Sequence, residues 1–112
     1  MSIKMERLGN LFVKEISEIL ATEVKDQNIE FVTITGAKVT NDLSYAKVYF
    51  TVLDDTKKDI VLNALNNASG FIRRALCNRI ELRKMPEIQF VYDESVAYGS
   101  NIERIIRDLN NN

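Results

Sequence analysis

Apolar residues recur at helical spacing near the start of the chain, switch to strict alternation, and then return to helical spacing. Met5, Leu8, Phe12, Ile16 and Ile19, flanked by Leu11 and Leu20, form one stripe, which predicts a helix over 4–25 with that stripe buried. Arg7, Lys14 and Lys25 line the other face, with Glu18 among them. Gly9 lies inside the pattern at a cost of about 1 kcal/mol relative to alanine, which predicts frayed first turns. Lys25-Asp26-Gln27-Asn28 supplies the closing turn. Phe31 to Thr40 is rich in valine, isoleucine and threonine and reads as a strand. Val32 and Ile34 share one phase of its alternation while Ala37 and Val39 share the other, so a bulge at Gly36 is needed to keep a single apolar face. Asn41-Asp42-Leu43-Ser44 makes a turn. From Tyr45 to Val52 the alternation is clean: Ala46, Val48, Phe50 and Val52 point inward, and Tyr45, Lys47, Tyr49 and Thr51 outward.

Thr56-Lys57-Lys58-Asp59 has the character of a helix start, with threonine as the cap and an acid in the first turn. Ile60, Val61, Ala64, Leu65 and Ala68 give this second helix its inner face. Ala68-Ser69-Gly70 then interrupts it, because small residues let the backbone bend and pack closely. A third helix is expected from about Ser69-Gly70, with Ile72, Ala75 and Leu76 inward and Arg73 and Arg74 outward. Arg79 falls towards the apolar side, so it must snorkel or the helix must end before it. Pro86 stops further helix, and Glu87 to Tyr92 reads as a third strand. Ser100-Asn101-Ile102-Glu103 is a capping box that opens a short last helix carrying Ile102, Ile105, Ile106 and Leu109, with a frayed tail over about 108–112. A hairpin followed by a two-helix crossover to a third strand predicts one α+β domain over 1–112: a three-stranded sheet with helices on one face.

Composition narrows the chemistry. The chain has 112 residues, 46% of them apolar, enough for a modest core. No apolar run approaches the roughly 20 residues that span a bilayer, and the first residues have no signal-peptide core. One cysteine excludes an internal disulfide, which together with these points predicts a cytoplasmic protein. The absence of histidine removes the commonest general base and metal ligand. Asp54-Asp55 and Asp93-Glu94 fall in predicted turns, and no phosphate-binding glycine loop or nucleophile–base pair is present, so no enzyme, cofactor or metal is expected. Charge is unevenly placed. From Ala68 to Met85, Arg73, Arg74, Arg79, Arg83 and Lys84 face a single acid, Glu81, whereas the whole chain carries a net charge of −1. A basic element on an acidic body points to an anionic partner.

The order of elements, with four blocks of residues, closely resembles the ribosome-binding factor A family. The blocks are Asp42-Leu43-Ser44-Tyr45-Ala46-Lys47-Val48-Tyr49, Ala68-Ser69-Gly70-Phe71-Ile72-Arg73, and Arg83-Lys84-Met85-Pro86-Glu87-Ile88-Gln89-Phe90 with Tyr92-Asp93-Glu94-Ser95. The likeness covers residues 3–107. It implies a type II KH-like fold with an Ala-x-Gly kink between helices in place of the Gly-x-x-Gly loop. With glycine only at 9, 36, 70 and 99, this chain has no Gly-x-x-Gly, so it is not expected to grip about four nucleotides of single-stranded RNA in the ordinary KH manner.

The resemblance also implies a monomer that binds 16S rRNA of the 30S ribosomal subunit during late assembly and rRNA processing. Assembly GTPases are candidate partners for its release, and a role in cold adaptation goes with the family. Basic helix surfaces would meet phosphates of folded RNA. The candidate contacts are Arg73, Arg74, Arg79, Arg83 and Lys84, with Lys4, Arg7 and Lys14 on the first helix. All but Arg79 have a plainer alternative. Arg73 and Arg74 could form a solvated helix face, though their net-positive neighbourhood favours contact; Arg83 and Lys84 could guard a strand edge, and the first-helix cations could pair with Glu15 and Glu18. Tyr45 and Tyr49 offer stacking surfaces or mere sheet covering. A KH-like protein-interaction module, or a regulator of another RNA, is the rival reading of the whole.

Overall fold

The alternating segment becomes the centre of the sheet. The computed structural model describes residues 3–29 and 31–95. Its elements are α1 (Ile3–Thr22), β1 (Val32–Val39), β2 (Tyr45–Val52), α2 (Lys58–Cys77) and β3 (Glu87–Tyr92), with 3-10 turns at Gln27–Ile29 and Asp55–Lys57. β2 is the middle strand, antiparallel to β1 and parallel to β3, so α2 serves as the crossover that a parallel pair requires. The register slips between Ile34 and Gly36. Ile34 therefore faces Phe50 and Ala37 faces Val48, which puts both halves of β1 on one apolar face, as its two phases predict.

That face carries Ile34, Val39, Ala46, Val48, Phe50, Ile88 and Phe90, all buried against Phe12, Ile16 and Ile19 of α1 and Val61, Leu65, Ile72 and Leu76 of α2. Thr33, Lys38, Tyr45, Lys47, Gln89 and Val91 on the other face are exposed. The helices thus cover one side of an α+β sheet and leave the other open.

Several local expectations change. Gly9 is buried in a formed helix rather than in a frayed turn. A methyl group there would stand 2.5 Å from the Ala37 carbonyl oxygen, so the bare glycine is what lets α1 lie on the β1 backbone. α1 stops at Thr22, where the amides of both Glu23 and Val24 bond the Ile19 carbonyl. Phe31 precedes β1 instead of starting it, with φ of 62° and its side chain 74% exposed. Thr56 does not cap the second helix. Asp54 caps the 3-10 turn before it, accepting from the Thr56 amide at 3.0 Å and hydroxyl at 2.7 Å. Ile60 is 52% exposed, outside the inner face.

The expected break at Ala68-Ser69-Gly70 is absent: α2 is one helix from Lys58 to Cys77. Gly70 keeps a negative φ, and Ser69 bonds the Asn66 carbonyl at 2.8 Å without interrupting the ladder. Small residues allow a break, but only a competing backbone demand imposes one, and the buried faces of Val61–Leu65 and Ile72–Leu76 are served by one continuous helix. The helix and tail expected beyond residue 100 lie outside the described residues.

Candidate nucleic-acid interface

The connection from α2 to β3 ends in Met85 and Pro86, both buried. Arg73 supplies hydrogen bonds to their carbonyls. Its Nη2 donates to the Met85 oxygen at 2.8 Å, and its Nε lies 3.3 Å from that oxygen and 3.2 Å from the Pro86 oxygen. Arg73 is therefore a tether as well as a cation: one edge of its guanidinium is turned onto the backbone rather than outward. This tether holds the preceding residues, Arg83 and Lys84, beside α2, and both are exposed. One position along the helix, Arg74 is exposed too, and its Nη1 lies 3.6 Å from where a methyl group on Gly70 would stand.

The same end of the sheet is closed by the β1–β2 turn. The Thr40 hydroxyl donates to Asp42 Oδ1 at 2.8 Å and accepts from the amides of Ser44 and Tyr45, while Leu43 takes a φ of 61°. The bond from Thr40 and then that from the Ser44 amide at 3.0 Å hold the Asp42 carboxyl below the usual aspartate range, with Lys84 adding a small electrostatic pull. The Glu87 amide bonds the Ser44 carbonyl at 3.0 Å, which ties this turn to the start of β3.

α1 brings two further cations to that end. Gly9 lies against Ala37, while Leu20, Ala21 and Val24 border a cleft with Val32, so α1 runs antiparallel to β1. Its first turns, with Lys4 and Arg7, point towards the β1–β2 turn. Lys14 sits farther along the helix and is exposed. Among the described residues, no carboxylate lies within ion-pair distance of Lys4, Arg7, Lys14, Arg74, Arg83 or Lys84.

Arg79 behaves otherwise. Its Nη1 contacts Glu18 at 2.8 Å and Glu15 at 3.0 Å, and its Nη2 contacts Glu23 at 2.9 Å. The hydrogen bond it donates to Glu15, then those to Glu23, push its pKa upward. One cation among three carboxylates leaves this patch negative, so Arg79 is withdrawn from the candidate surface. α2 ends at Cys77, before Arg79, and the following turn carries the guanidinium onto α1. Part of the signal is present in the sequence: Glu15 and Glu18 lie near each other on α1, but they read as partners for that helix's own cations, and Glu23 follows the end of α1.

At the opposite end the paired acids hold turns. Asp54 is the cap already described, Asp55 accepts from the Tyr92 hydroxyl at 3.1 Å, and Asp93 accepts from Thr35 at 2.6 Å and from the Ser95 hydroxyl. Lys58 lies 3.9 Å from Glu94. Among the described residues no cluster of metal-ligating side chains occurs, and no helix is long and apolar enough to cross a membrane.

A family model described as ribosome-binding factor A matches residues 4–106. The chain belongs to that family. Ribosome-binding factor A of Staphylococcus carnosus is 49% identical over 108 residues, covering 96% of this chain and 94% of the relative. The crystal structure of ribosome-binding factor A from Thermus thermophilus matches with a TM-score of 0.70 at 20% identity, over 79% of this chain and 93% of that one. A homology model of the Thermus thermophilus factor, fitted into the cryo-EM map of a 30S complex, matches with a TM-score of 0.65 at 20% identity, over 80% and 96%. At such identities the structural likeness speaks for the shared fold. Ribosome-binding factor A is thus the frame in which the unpartnered cations are to be read.

Proposed function

We propose that this chain is a ribosome-binding factor that docks on 16S rRNA of the 30S subunit during late assembly and acts by occupancy, without covalent chemistry. The Thermus relative fitted into a 30S complex supports the choice of partner. In this reading the fold is KH-like of type II, but RNA is met by charge on folded helices rather than by a Gly-x-x-Gly clamp. The carrying observation is the group of Arg74, Arg83 and Lys84, set beside α2 by the Arg73 tether with no carboxylate among the described residues to neutralise it. Lys4 and Arg7 extend it, and Lys14 lies at its margin.

Cations left without acids gain by releasing counterions from RNA, and the gain falls steeply with salt. The test is co-sedimentation of full chain with 30S subunits over a salt series, for wild type and an Arg74→Ala/Arg83→Ala/Lys84→Ala variant. Loss of about three phosphate contacts should flatten the slope of log affinity against log salt by roughly two to three. A folded variant with unchanged slope and affinity overturns the assignment.

A protein-docking reading draws on the other end, where exposed Phe31, Leu53 and Ile60 border one cleft. Binding through that end would be nearly insensitive to salt, which separates the two readings.

A further inference from the structure

The open face of the sheet carries a feature that helix-borne contacts leave unexplained. The β1–β2 register sets Lys38 directly opposite Lys47, and the β2–β3 register sets Lys47 directly opposite Gln89. Like charges directly across an antiparallel pair destabilise it. Here no carboxylate lies within ion-pair distance of either lysine among the described residues, and none of the three side chains has a hydrogen-bond partner there. The row borders a shallow groove of about 380 Å³, completed by Val39, Thr40 and Tyr45. Tyr45 is 47% exposed, and no hydrogen bond holds its hydroxyl among the described residues. Two acids stand at the rim: Glu87, opposite Tyr45, and Asp42, whose Oδ1 is engaged by Thr40 and Ser44.

We propose that this groove binds unpaired RNA, with Lys38 and Lys47 holding a backbone phosphate between them, Tyr45 stacking on the adjoining base and Gln89 reaching its edge. The proposal rests on the reading that the partner is RNA, and adds to it a single-strand site on a different face from α2. A phosphate placed between the two lysines removes the repulsion that the register creates. An exposed tyrosine ring beside it offers the one contact every base can use, its π-face, and Gln89 presents both a donor and an acceptor. A duplex would bring only phosphates to this face and leave Tyr45 without a role. An acidic polypeptide would satisfy the lysines but has no need of the ring.

The test measures binding of a fluorescent oligouridylate of about ten nucleotides to full chain. Wild type should bind it, and Lys38→Gln/Lys47→Gln should lower the affinity tenfold or more while leaving the thermal midpoint equal or higher, since the like-charge pair is gone. Tyr45→Leu should cost about tenfold and Tyr45→Phe should restore most of it, which a purely electrostatic surface would not do. No binding by wild type, no effect of the lysine pair, or equal losses for the leucine and phenylalanine variants overturns the proposal. Competition by polyglutamate as effective as that by the oligonucleotide would also overturn it and mark the face as a protein-docking surface. The Arg74/Arg83/Lys84 variant, assayed on 30S subunits, reports separately on the helix reading. Loss there with an inert groove, or the reverse, tells which of the two has failed.

Discussion

Arg79 and the pair Arg83–Lys84 are separated by a few residues of one connection, yet they belong to opposite electrostatic regions. Arg79 sits among three carboxylates of α1 and the turn that follows it. Arg83 and Lys84 form no ion pair with a carboxylate among the described residues, and the bonds of Arg73 to Met85 and Pro86 hold them near α2. A cation surrounded by acids fastens one element to another and offers little to a partner. A cation left alone contributes little to the fold and keeps its full charge for an anion. What separates the two is the path of the chain after Cys77, not the residue type.

Two variants bring this contrast out. Arg74→Ala/Arg83→Ala/Lys84→Ala should lower affinity for small subunits about a hundredfold at low salt, with stability unchanged to within about 0.5 kcal/mol. Arg79→Ala should do the reverse: it leaves Glu15, Glu18 and Glu23 facing one another without their cation, lowers the denaturation midpoint, and leaves the affinity of the folded protein within about twofold. Urea denaturation and co-sedimentation, run on both, check the pair. A stable Arg79→Ala protein that no longer binds would erase the distinction.

The parts of the fold that were legible in the sequence are those in which one periodicity dominates. Alternation alone gave β2 its limits, and the change of phase in β1 located the bulge at Gly36. The interruption that Ala68-Ser69-Gly70 suggests is absent from α2 because those residues report only permission to bend, while the apolar stripes on either side are continuous on a single helix. Arg73 could not be placed from its helix wheel, since its partners are carbonyls twelve and thirteen residues away. The Lys38–Lys47 row was hidden for a similar reason: it exists only once the register is known. Net charge marks out the basic segment, but it cannot say which of its members the fold neutralises.

The two helix glycines divide along the same lines. Gly9→Ala places a methyl group 2.5 Å from the Ala37 oxygen, so α1, which carries Glu15 and Glu18, must shift on the sheet. The expected loss is about 1–3 kcal/mol, larger than the gain of about 1 kcal/mol in helix propensity. Gly70→Ala meets only the Arg74 guanidinium at 3.6 Å, an ordinary contact, so propensity prevails and the protein gains up to about 1 kcal/mol. Opposite signs in thermal unfolding are the expected outcome. Equal signs would mean that α1 does not dock through Gly9.

The smallest effect is expected at Asp42, on which Lys84 exerts a small electrostatic pull. Its carboxyl is held below the usual range by the Thr40 hydroxyl, then by Ser44, so the folded state favours the ionised form. The sign follows. This contribution is fully present above the unfolded pKa of about 3.9, and is lost as pH falls through the lower folded value. Asp42→Asn keeps an oxygen for Thr40 and Ser44 but has nothing to titrate, so the fall in stability below about pH 4 should become shallower. Near neutral pH the same variant removes a negative charge beside Lys84 and should raise RNA affinity by no more than about twofold, an effect that salt abolishes. Weaker binding in Asp42→Asn would mean that the turn's conformation, and not its charge, is what the basic end requires.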